Sequence, residues 1–280
     1  MPAPRIDLYS DTNTKPTPPM RQAMAEAEVG DEQNFEDPTV NKLCAMTAAL
    51  LGQEAAVFLP SGTMCNQIAF RVHCQPGDEI ILDYTAHPIN AEAGGPPAIA
   101  LAQTRAIHTE LGIFTADQVR EAIRPPRRHV PRSRVLSIEN TTNAGGGTIW
   151  PIEDIAAVTA VAREHGMANH MDGARLMNAV VESGTSAQEY GKHFDSLWLD
   201  LSKGLGCPVG GVLAGSADFI DQAWRFKQQM GGAMRQAGII AAAGVYALEN
   251  NVARLAEDHE NARAFSRTIA QIPGIKLIFD

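Results

Sequence analysis

The sequence contains little positive charge and no apolar run long enough to cross a bilayer. Its 23 Lys and Arg against 32 Asp and Glu leave a net charge of −9, which argues against a nucleic-acid or anionic membrane surface, because such a surface needs a basic face. The longest apolar runs, such as residues 238–248, are too short for a membrane helix, and the N-terminus has no apolar signal core. We therefore expect a soluble cytoplasmic protein with neither a nucleic-acid nor a membrane partner.

Several common motifs are also missing. The four cysteines, Cys44, Cys65, Cys74 and Cys207, form no CxxC pair and no zinc-type spacing, so we expect buried thiols in a reducing compartment and no metal site. GxGxxG and GxSxG are absent, and the P-loop-like residues 184–193 have six residues between their glycines rather than four. Dinucleotide binding, a serine hydrolase elbow and a P-loop therefore have no support.

Short apolar runs alternate with amphipathic stretches, a pattern typical of a mainly parallel sheet covered by helices. Seven runs are candidate strands, at residues 55–59, 79–83, 98–102, 135–139, 167–172, 196–201 and 210–215. Only a glycine-rich turn joins the last two, which is too short for the crossover that a parallel pair needs, so we expect these two strands to pair antiparallel. The sequence thus predicts an α/β fold with one wide sheet.

End signals bound some of the helices. Asp37 is a candidate N-cap, Pro38 suits the first turn and Gly52 is a candidate helix end. From about Met234 to Ile272 the pattern predicts one long helix or two in series, after which residues 274–280 begin a strand. We expect a large domain over residues 1–247 and the start of a small C-terminal α+β domain over 248–280, incomplete where the chain stops.

Polar groups follow the ends of several candidate strands, where ligands bind in doubly wound sheets. Ser61, Gly62 and Thr63 precede a helix, and this turn suits a phosphate, although Ser and Thr are also ordinary helix caps. His87 could be a base, a metal ligand, a flat surface for a ring or a structural residue. The loop over residues 139–147 is either part of the same ligand edge or an ordinary turn.

An acid and a lysine follow two further strand ends. A buried Asp172 needs a partner, which could be Arg175 in a structural pair or a protonated heterocycle nitrogen on a cofactor. A metal pair with His170 is a third option, for which no further ligand is evident. Lys203 lies before a glycine-rich turn, where it is either a surface lysine or a nucleophilic amine whose pKa is lowered by burial.

Together these features favour a pyridoxal phosphate site. All five follow candidate strands and so lie on one edge of the sheet. A phosphate turn, a flat histidine, an acid and a lysine that can carry an aldehyde are the parts needed to hold this cofactor. The acid would keep the ring nitrogen protonated, and the lysine would hold the cofactor between turnovers.

With these residues in view, the sequence resembles the threonine aldolase family, the branch of fold-type I pyridoxal phosphate enzymes that is of the β-eliminating lyase type. The resemblance extends over nearly the whole chain through seven blocks in order: SDTNTKPTPPMRQAM, EVGDEQNFEDPTVN, SGTMCNQIA, AHPINAEAGG, MDGARL, LSKGLGCPVGG and MGGAMRQAGIIAAAG. It implies the aminotransferase-like fold, with a seven-stranded, mostly parallel sheet that has one antiparallel strand, and a small C-terminal domain. It also implies a homotetramer, a dimer of dimers with shared active sites.

The resemblance assigns roles around the cofactor. Lys203 is expected to bind the cofactor's aldehyde, Asp172 to pair with the ring nitrogen and His87 to stack on the ring. Arg175 is expected to reach the side of the ring hydroxyl and the substrate carboxylate. Arg235 corresponds to an arginine that reaches a phosphate from the neighbouring subunit.

Further assignments concern the phosphate and the substrate. Ser61, Gly62 and Thr63 correspond to the phosphate-binding turn of the family. Ser10, in the block SDTNTK, is expected to contact the substrate carboxylate together with Arg175. No metal is implied.

Three departures from the family pattern fall on the substrate side. Asn34 and Phe35 stand where the family has Tyr-Gly, so a tyrosine lining the substrate site is missing. Thr142 replaces a histidine of the usual ENTHN block that engages the substrate's β-hydroxyl. The small-domain arginine that would clamp the substrate carboxylate lies beyond Asp280. We accordingly expect Asn34 and Thr142 to border an altered substrate site.

The activity implied is cleavage of a β-hydroxy-α-amino acid to glycine and an aldehyde, with a substrate other than threonine or an altered threo/erythro preference. A water held by Thr142, or His87 itself, would be the base for the β-hydroxyl proton. The alternatives are another reaction at the α-carbon, such as β-elimination or racemisation, and a non-catalytic binding or assembly protein of the same fold.

Overall fold

The computed structural model describes residues 6–277, and its frame is a mixed sheet of seven strands. The strands are β1 Ala55–Leu59, β2 Glu79–Asp83, β3 Gln103–Ile107, β4 Ser133–Glu139, β5 Ala168–Gly173, β6 Ser196–Asp200 and β7 Gly211–Gly215. Their order across the sheet is β1-β7-β6-β5-β4-β2-β3. β7 runs antiparallel to β1 and β6, and all other neighbours are parallel. The predicted α/β fold, the number of strands and the one antiparallel strand are confirmed.

Helices cover the two faces of this sheet. They are α1 Pro18–Ala25, α2 Pro38–Leu51, α3 Gly62–His73, α4 His87–Asn90, α5 Ala116–Ala122, α6 Ile152–Glu164, α7 Leu176–Ser183, α8 Ala187–Gly191, α9 Ala217–Gln229, α10 Gly238–Asn250 and α11 Leu255–Ile269. Alternation along β1 sends Val57 into a core with α3 and α9, and its neighbour Phe58 into the main core. The inner strands β2, β6 and β7 are buried on both faces and are mostly apolar, whereas β5 carries the buried polar residues Asn169, His170 and Asp172.

The end signals of α2 act as predicted. Both the Thr39 and the Val40 backbone N–H donate to Asp37 Oδ1, at 3.1 and 3.0 Å. Gly52 closes the helix in the left-handed region, with φ 68°. The helix therefore begins and ends where the sequence indicates.

One candidate strand is wrong. Residues 98–102 are not extended: Pro96–Ala100 form a π-helical turn, and Leu101 follows in the left-handed region with φ 58°. Prolines suit a helix start but cannot donate to a sheet ladder. The third strand is Gln103–Ile107 instead, a mostly polar edge strand whose sequence lacks the apolar run that marks the others.

The C-terminal stretch forms two helices in series, α10 and α11, as one of the two predicted forms. Residues 274–277 form no strand, and the remainder of the predicted strand, 278–280, lies outside the described residues. The predicted domain boundary after residue 247 falls within α10, and the division into domains stays a prediction. Within residues 6–277 no helix is long and apolar enough to span a membrane.

Candidate functional site

The carboxyl ends of β1, β2, β4, β5 and β6 meet at one edge of the sheet, where they surround a cavity of about 220 Å³. Its lining consists of Thr12 and of residues that lie in or after the carboxyl-terminal halves of these strands. They are Thr12, Ser61, Gly62, Thr63, His87, Glu139, Asn143, Asp172, Ala174, Arg175, Trp198, Asp200, Ser202 and Lys203. We call this cavity the edge cavity.

The structure brings most of the predicted site residues together. Seven of the eleven line the edge cavity, namely Ser61, Gly62, Thr63, His87, Asp172, Arg175 and Lys203. The other four, Ser10, Asn34, Thr142 and Arg235, lie elsewhere in the described part of the chain.

The N-terminus of α3 faces this cavity. Ser61 is its N-cap, and the Ser61 Oγ accepts the Met64 N–H at 3.2 Å. The backbone N–H groups of Gly62 and Thr63, in the first turn, have no intrahelical partner. A Cβ on Gly62 would lie 2.2 Å from Trp198 Cη2, so only glycine fits against that ring. The turn is thus both a helix cap and an anion cradle, because a twelve-residue helix adds its dipole.

Asp172, at the end of β5, is buried and held in place. Its Oδ2 accepts a hydrogen bond from Asn66 Nδ2 at 2.8 Å, and its Oδ1 accepts the Ala174 N–H at 3.1 Å. Burial raises the pKa of Asp172, while the hydrogen bond from Asn66 lowers it. Arg175 is not the structural partner of Asp172, so a carboxylate remains beside the cavity without a cation bonded to it among the described residues.

Arg175 pairs with Asp11 instead. Its Nε and Nη2 donate to the two carboxylate oxygens at 2.6 and 2.9 Å. Asp11 belongs to a 3₁₀ turn, Asp11–Asn13, in the N-terminal segment. The fork-to-fork geometry orients the guanidinium at the wall of the edge cavity.

Lys203 follows β6 and forms an ion pair with Asp200, whose Oδ2 lies 2.5 Å from the Lys203 Nζ. The Asp200 Oδ1 accepts hydrogen bonds from the N–H and the hydroxyl of Ser202. Thr14 donates its hydroxyl to the Lys203 carbonyl at 2.7 Å, which ties the lysine loop to the N-terminal segment. The amine is therefore mostly buried and placed at the cavity.

His87 begins α4, and its Nδ1 lies 2.9 Å from Glu92 Oε1. The hydrogen bond with Glu92 raises the pKa of His87, and burial opposes this shift. Because the Glu92 carboxylate accepts only, Nδ1 carries the proton and the neutral ring presents Nε2 as an acceptor. The side chain is 41 % exposed.

Carboxylates crowd the site. Glu139 lies opposite Asp172 in the register of β4 and β5, and its Oε1 accepts the Asn143 N–H at 3.3 Å. Burial, and then the charge of Asp172, raise the pKa of Glu139 to about 7. Burial therefore favours the protonated form of Glu139 beside Asp172, whose carboxylate is hydrogen-bonded to Asn66.

Three of the four remaining predicted residues, Ser10, Asn34 and Arg235, lie outside the edge cavity; Thr142 is described below. Ser10 caps the 3₁₀ turn through a hydrogen bond from the Thr12 N–H to its Oγ at 3.2 Å. Asn34 is exposed, next to Phe35 in the left-handed region. Arg235 is exposed and donates to Asp31 at 2.7 Å. None of these side chains lines the edge cavity of its own chain.

A buried ion pair joins the segments that carry Asn34 and Arg235. Lys227 Nζ lies 2.9 Å from Glu32 Oε2, and both side chains are fully buried. Burial lowers the pKa of Lys227, and the hydrogen bond with Glu32 opposes this shift. The Glu32 N–H also donates to the Arg235 carbonyl at 3.1 Å. The two segments are thus held as one unit.

Thr142 does not present its hydroxyl to the edge cavity. The Thr142 Oγ1 donates to the Leu111 carbonyl at 2.7 Å, and its side chain packs against Gly112 and Gly145. It lines a separate small cavity, which Glu139 and Asp172 also border. The Thr142 hydroxyl therefore connects two loops in this structure, and a role of Thr142 toward the substrate stays a prediction.

Several functional groups were not predicted. Asp200 and Glu139 both end strands that the sequence marks, and strand-end acids were the signal that could have found them. Asn66, Glu92 and Asp11 act on the site from other elements, and nothing in their local sequence indicates it. Trp198, the platform beneath Gly62, belongs to an apolar run that predicts only a strand.

The edge cavity fits pyridoxal phosphate. A lysine amine for the aldehyde, an anion for the ring nitrogen and a helix N-terminus for the phosphate open onto the same space. No cluster of His, Cys, Asp and Glu suited to a metal ion occurs in the described part of the chain. Lys203, Asp172 and the turn of Ser61 to Thr63 would hold the group.

The fold and the site define a pyridoxal phosphate-dependent lyase, and comparison with known proteins agrees. The beta-eliminating lyase family matches residues 7–278. The chain is 46 % identical over 258 residues to the low specificity L-threonine aldolase of Escherichia coli strain K12, covering 92 % of this chain and 77 % of that protein. It is 39 % identical over 276 residues to low-specificity L-threonine aldolase 1 of Arabidopsis thaliana, covering 97 % and 77 %. The protein belongs to the threonine aldolase family.

A solved structure supports the fold independently. The threonine aldolase of Leishmania major superposes with a TM-score of 0.84 at 20 % identity, covering 97 % of this chain and 80 % of that chain. The prediction of the family, its fold and its cofactor is confirmed. A non-catalytic relative is not favoured.

Proposed function

We propose that the protein cleaves a β-hydroxy-α-amino acid to glycine and an aldehyde. The observation that carries this proposal is the placement of Lys203 and Asp172 on one cavity with the N-terminus of α3. When bound there, pyridoxal phosphate supplies an electron-withdrawing ring that accepts the electron pair of a bond broken at the substrate's α-carbon. The relatives from Escherichia coli and Arabidopsis thaliana are low-specificity L-threonine aldolases, which supports the same type of reaction.

Residues of the chain would bind the cofactor, bind the substrate and accept the substrate's proton. Lys203 would hold the cofactor's aldehyde through its amine, and Arg175 would bind the substrate carboxylate. His87 takes the proton of the β-hydroxyl, since its Nδ1 is bonded to Glu92 and its Nε2 is free to accept. The alternative base, a water held by Thr142, is less well supported because that hydroxyl is bonded to Leu111.

The preferred substrate is, in this proposal, a β-hydroxy amino acid other than threonine, or one of altered threo/erythro preference. Asn34 and Phe35 in place of Tyr-Gly, and Thr142 in place of histidine, support it through the two family side chains that they replace; neither Asn34 nor Thr142 itself lines the edge cavity. A screen of β-hydroxy amino acids with identification of the products tests both reaction and substrate. Glycine plus an aldehyde is expected, whereas pyruvate-type products or an inverted α-carbon would indicate β-elimination or racemisation. A strong preference for threonine or allo-threonine would overturn the substrate proposal.

Lys203→Ala provides the control for this screen. We expect the purified holoprotein to absorb visible light, and we expect the variant to lose both the absorption and all turnover. A colourless wild-type protein that takes up no pyridoxal phosphate would contradict the assignment of the edge cavity.

Assembly and location belong to the same proposal. We propose a homotetramer in the cytoplasm, in which Arg235 of one subunit reaches the phosphate of the neighbour's site. Its exposed position, away from its own edge cavity, supports this arrangement, and four free cysteines support a reducing compartment. Mixing inactive Lys203→Ala and Arg235→Ala chains tests it: shared sites restore activity in hybrid oligomers, and separate sites do not.

A further inference from the structure

A line of buried polar side chains leads away from Asp172 beneath the edge cavity. It runs through Asn66, His170 and Ser196 to His73, and its hydrogen bonds measure 2.8, 3.1, 2.8 and 2.8 Å. Asn66, His170 and Ser196 are completely buried. None of these four side chains lines the edge cavity, and the reaction proposed above uses none of them directly.

The direction of each hydrogen bond in this line can be derived, beginning at Asn66. The indole N–H of Trp198 lies 2.8 Å from Asn66 Oδ1. Because an indole nitrogen can only donate, Oδ1 is the acceptor end of the amide. Asn66 Nδ2 then donates to both Asp172 and Glu92, at 2.8 and 2.7 Å. The amide orientation is therefore determined by its partners.

The orientation of Asn66 determines the tautomers of the two histidines. His170 Nε2 faces the Oδ1 acceptor and must carry a proton. A neutral His170 then accepts at Nδ1 the hydroxyl proton of Ser196. Since the single Ser196 proton is used, His73 Nε2 must donate to the Ser196 Oγ. All donors in the line point toward Asp172.

Both rings are neutral in the folded protein. Burial lowers the pKa of His170 to about 3 and that of His73 to about 4. Asp195 raises and Arg134 lowers the pKa of His73, and both effects are smaller than that of burial. Phe70 packs edge-on against the fully buried His170, and Phe219 stacks on His73, which is half-buried.

Aligned hydrogen bonds polarise one another, so a chain of donors that ends on a carboxylate stabilises its negative charge. Burial acts on Asp172 in the opposite direction. We propose that His73, Ser196 and His170 are positioning residues for the ring nitrogen of pyridoxal phosphate: through Asn66 they hold Asp172 ionised, which keeps that nitrogen protonated. This inference rests on the role given to Asp172 above.

The test compares two ligands, pyridoxal phosphate and the analogue in which carbon replaces the ring nitrogen. We expect Ser196→Ala to raise the dissociation constant of pyridoxal phosphate about tenfold and to leave that of the analogue within about twofold. Equal losses for both ligands would indicate a merely structural role, and no loss for either would also overturn the proposal. Ser137→Ala, which removes a buried hydroxyl from β4 opposite His170, is the matched control and should change neither constant.

Two further measurements distinguish a failure of the role given to Asp172 from a failure of the present inference. Asp172→Asn should discriminate between the ligands more strongly than Ser196→Ala. If Asp172→Asn weakens both ligands equally, the role of Asp172 fails; if it discriminates while Ser196→Ala does not, only the present inference fails. NMR of the ¹⁵N-histidine-labelled holoenzyme needs no variant. His73 and His170 should both be Nε2–H tautomers, and an Nδ1–H tautomer at His170 would refute the proposed direction of the hydrogen bonds that lead to Asp172.

Discussion

Arg175 and Asp11 are joined by two parallel hydrogen bonds, from Nε to Oδ2 at 2.6 Å and from Nη2 to Oδ1 at 2.9 Å, although 164 residues separate them. The N-terminal segment thereby supplies the partner of the arginine that we propose for the substrate carboxylate. The ion pair is partly exposed at the cavity wall, so a ligand carboxylate and Asp11 compete for one guanidinium.

Asp11→Asn should therefore strengthen the binding of a carboxylate ligand. The substitution keeps the shape of the side chain and removes the competing charge, which is worth about 1 kcal/mol for a partly exposed pair. We expect the dissociation constant of glycine for the holoenzyme, measured by titration calorimetry, to fall about fivefold. Asp117→Asn, which releases the exposed Arg120 away from the site, is the control. Weaker glycine binding in Asp11→Asn would mean that Asp11 acts mainly to orient Arg175.

Gly62→Ala should damage the site through packing alone. Its methyl group would lie 2.2 Å from the Trp198 ring, and overpacking of this kind costs about 1–3 kcal/mol. We expect a lower midpoint of urea unfolding and weaker pyridoxal phosphate binding. Because the clashing atoms belong to the six-membered ring of the indole, Gly62→Ala should cost less in a Trp198→Phe background than in the wild-type protein. This comparison cancels the loss of the indole N–H that donates to Asn66. An equal cost in both backgrounds would argue against the clash.

Thr142→Val should leave turnover nearly unchanged. The Thr142 hydroxyl donates to the Leu111 carbonyl, so its removal should lower the free energy of unfolding by about 1 kcal/mol and change kcat by less than about twofold. His87→Asn, which can keep the hydrogen bond to Glu92 but lacks Nε2, should lower kcat about 10²–10⁴-fold. A large loss of kcat in Thr142→Val at unchanged stability would restore the water held by Thr142 as the base.

Acid should destabilise the fold through its buried histidines. His170 and His73 have folded pKa values of about 3 and about 4, below the unfolded value of about 6.5. As the pH falls from about 6.5 toward 4, the unfolded chain binds protons that the folded protein does not, so the free energy of unfolding decreases. The contribution of these groups is fully present above about pH 6.5.

His73→Gln isolates one of the two groups. Glutamine can place an N–H where His73 Nε2 donates to Ser196, but it does not titrate. We expect the slope of unfolding free energy against pH, measured by urea denaturation between pH 6.5 and 4, to decrease by up to about 1.4 kcal/mol per pH unit. An unchanged slope would show that His73 is protonated in the folded protein or does not titrate differently on unfolding.

The local sequence was sufficient to predict those site residues that lie at the carboxyl ends of strands. Ser61 and Lys203 follow apolar strands and Asp172 lies near the end of a candidate strand. Because parallel strands end on one edge, their meeting could be predicted. Sequence was insufficient where a partner comes from a distant segment, as with Asp11 and Arg175. It also failed at residues 98–102, whose composition fits a strand but whose preceding prolines favour a helical turn.

The departures at Thr142 and Asn34 show a different limit. A residue type that differs from the family predicts a changed contact but not where the side chain lies. The Thr142 hydroxyl bonds Leu111, and Asn34 is exposed. Which surfaces border a substrate depends on loop packing and, for exposed residues, on assembly, and neither is encoded within a few neighbouring positions.

The buried pair of Lys227 and Glu32 couples the segment that carries Asn34 to the backbone of Arg235. Breaking such a pair costs about 3–5 kcal/mol, so the segment bearing Asn34 and Phe35 cannot shift without carrying the backbone of Arg235 with it. A mutation that reshapes one subunit's surface at Asn34 thus also moves an arginine destined, in our proposal, for its neighbour. In our proposal, a change in substrate choice can therefore also change how tightly the neighbouring subunit retains its cofactor, through the backbone that connects Asn34 with Arg235.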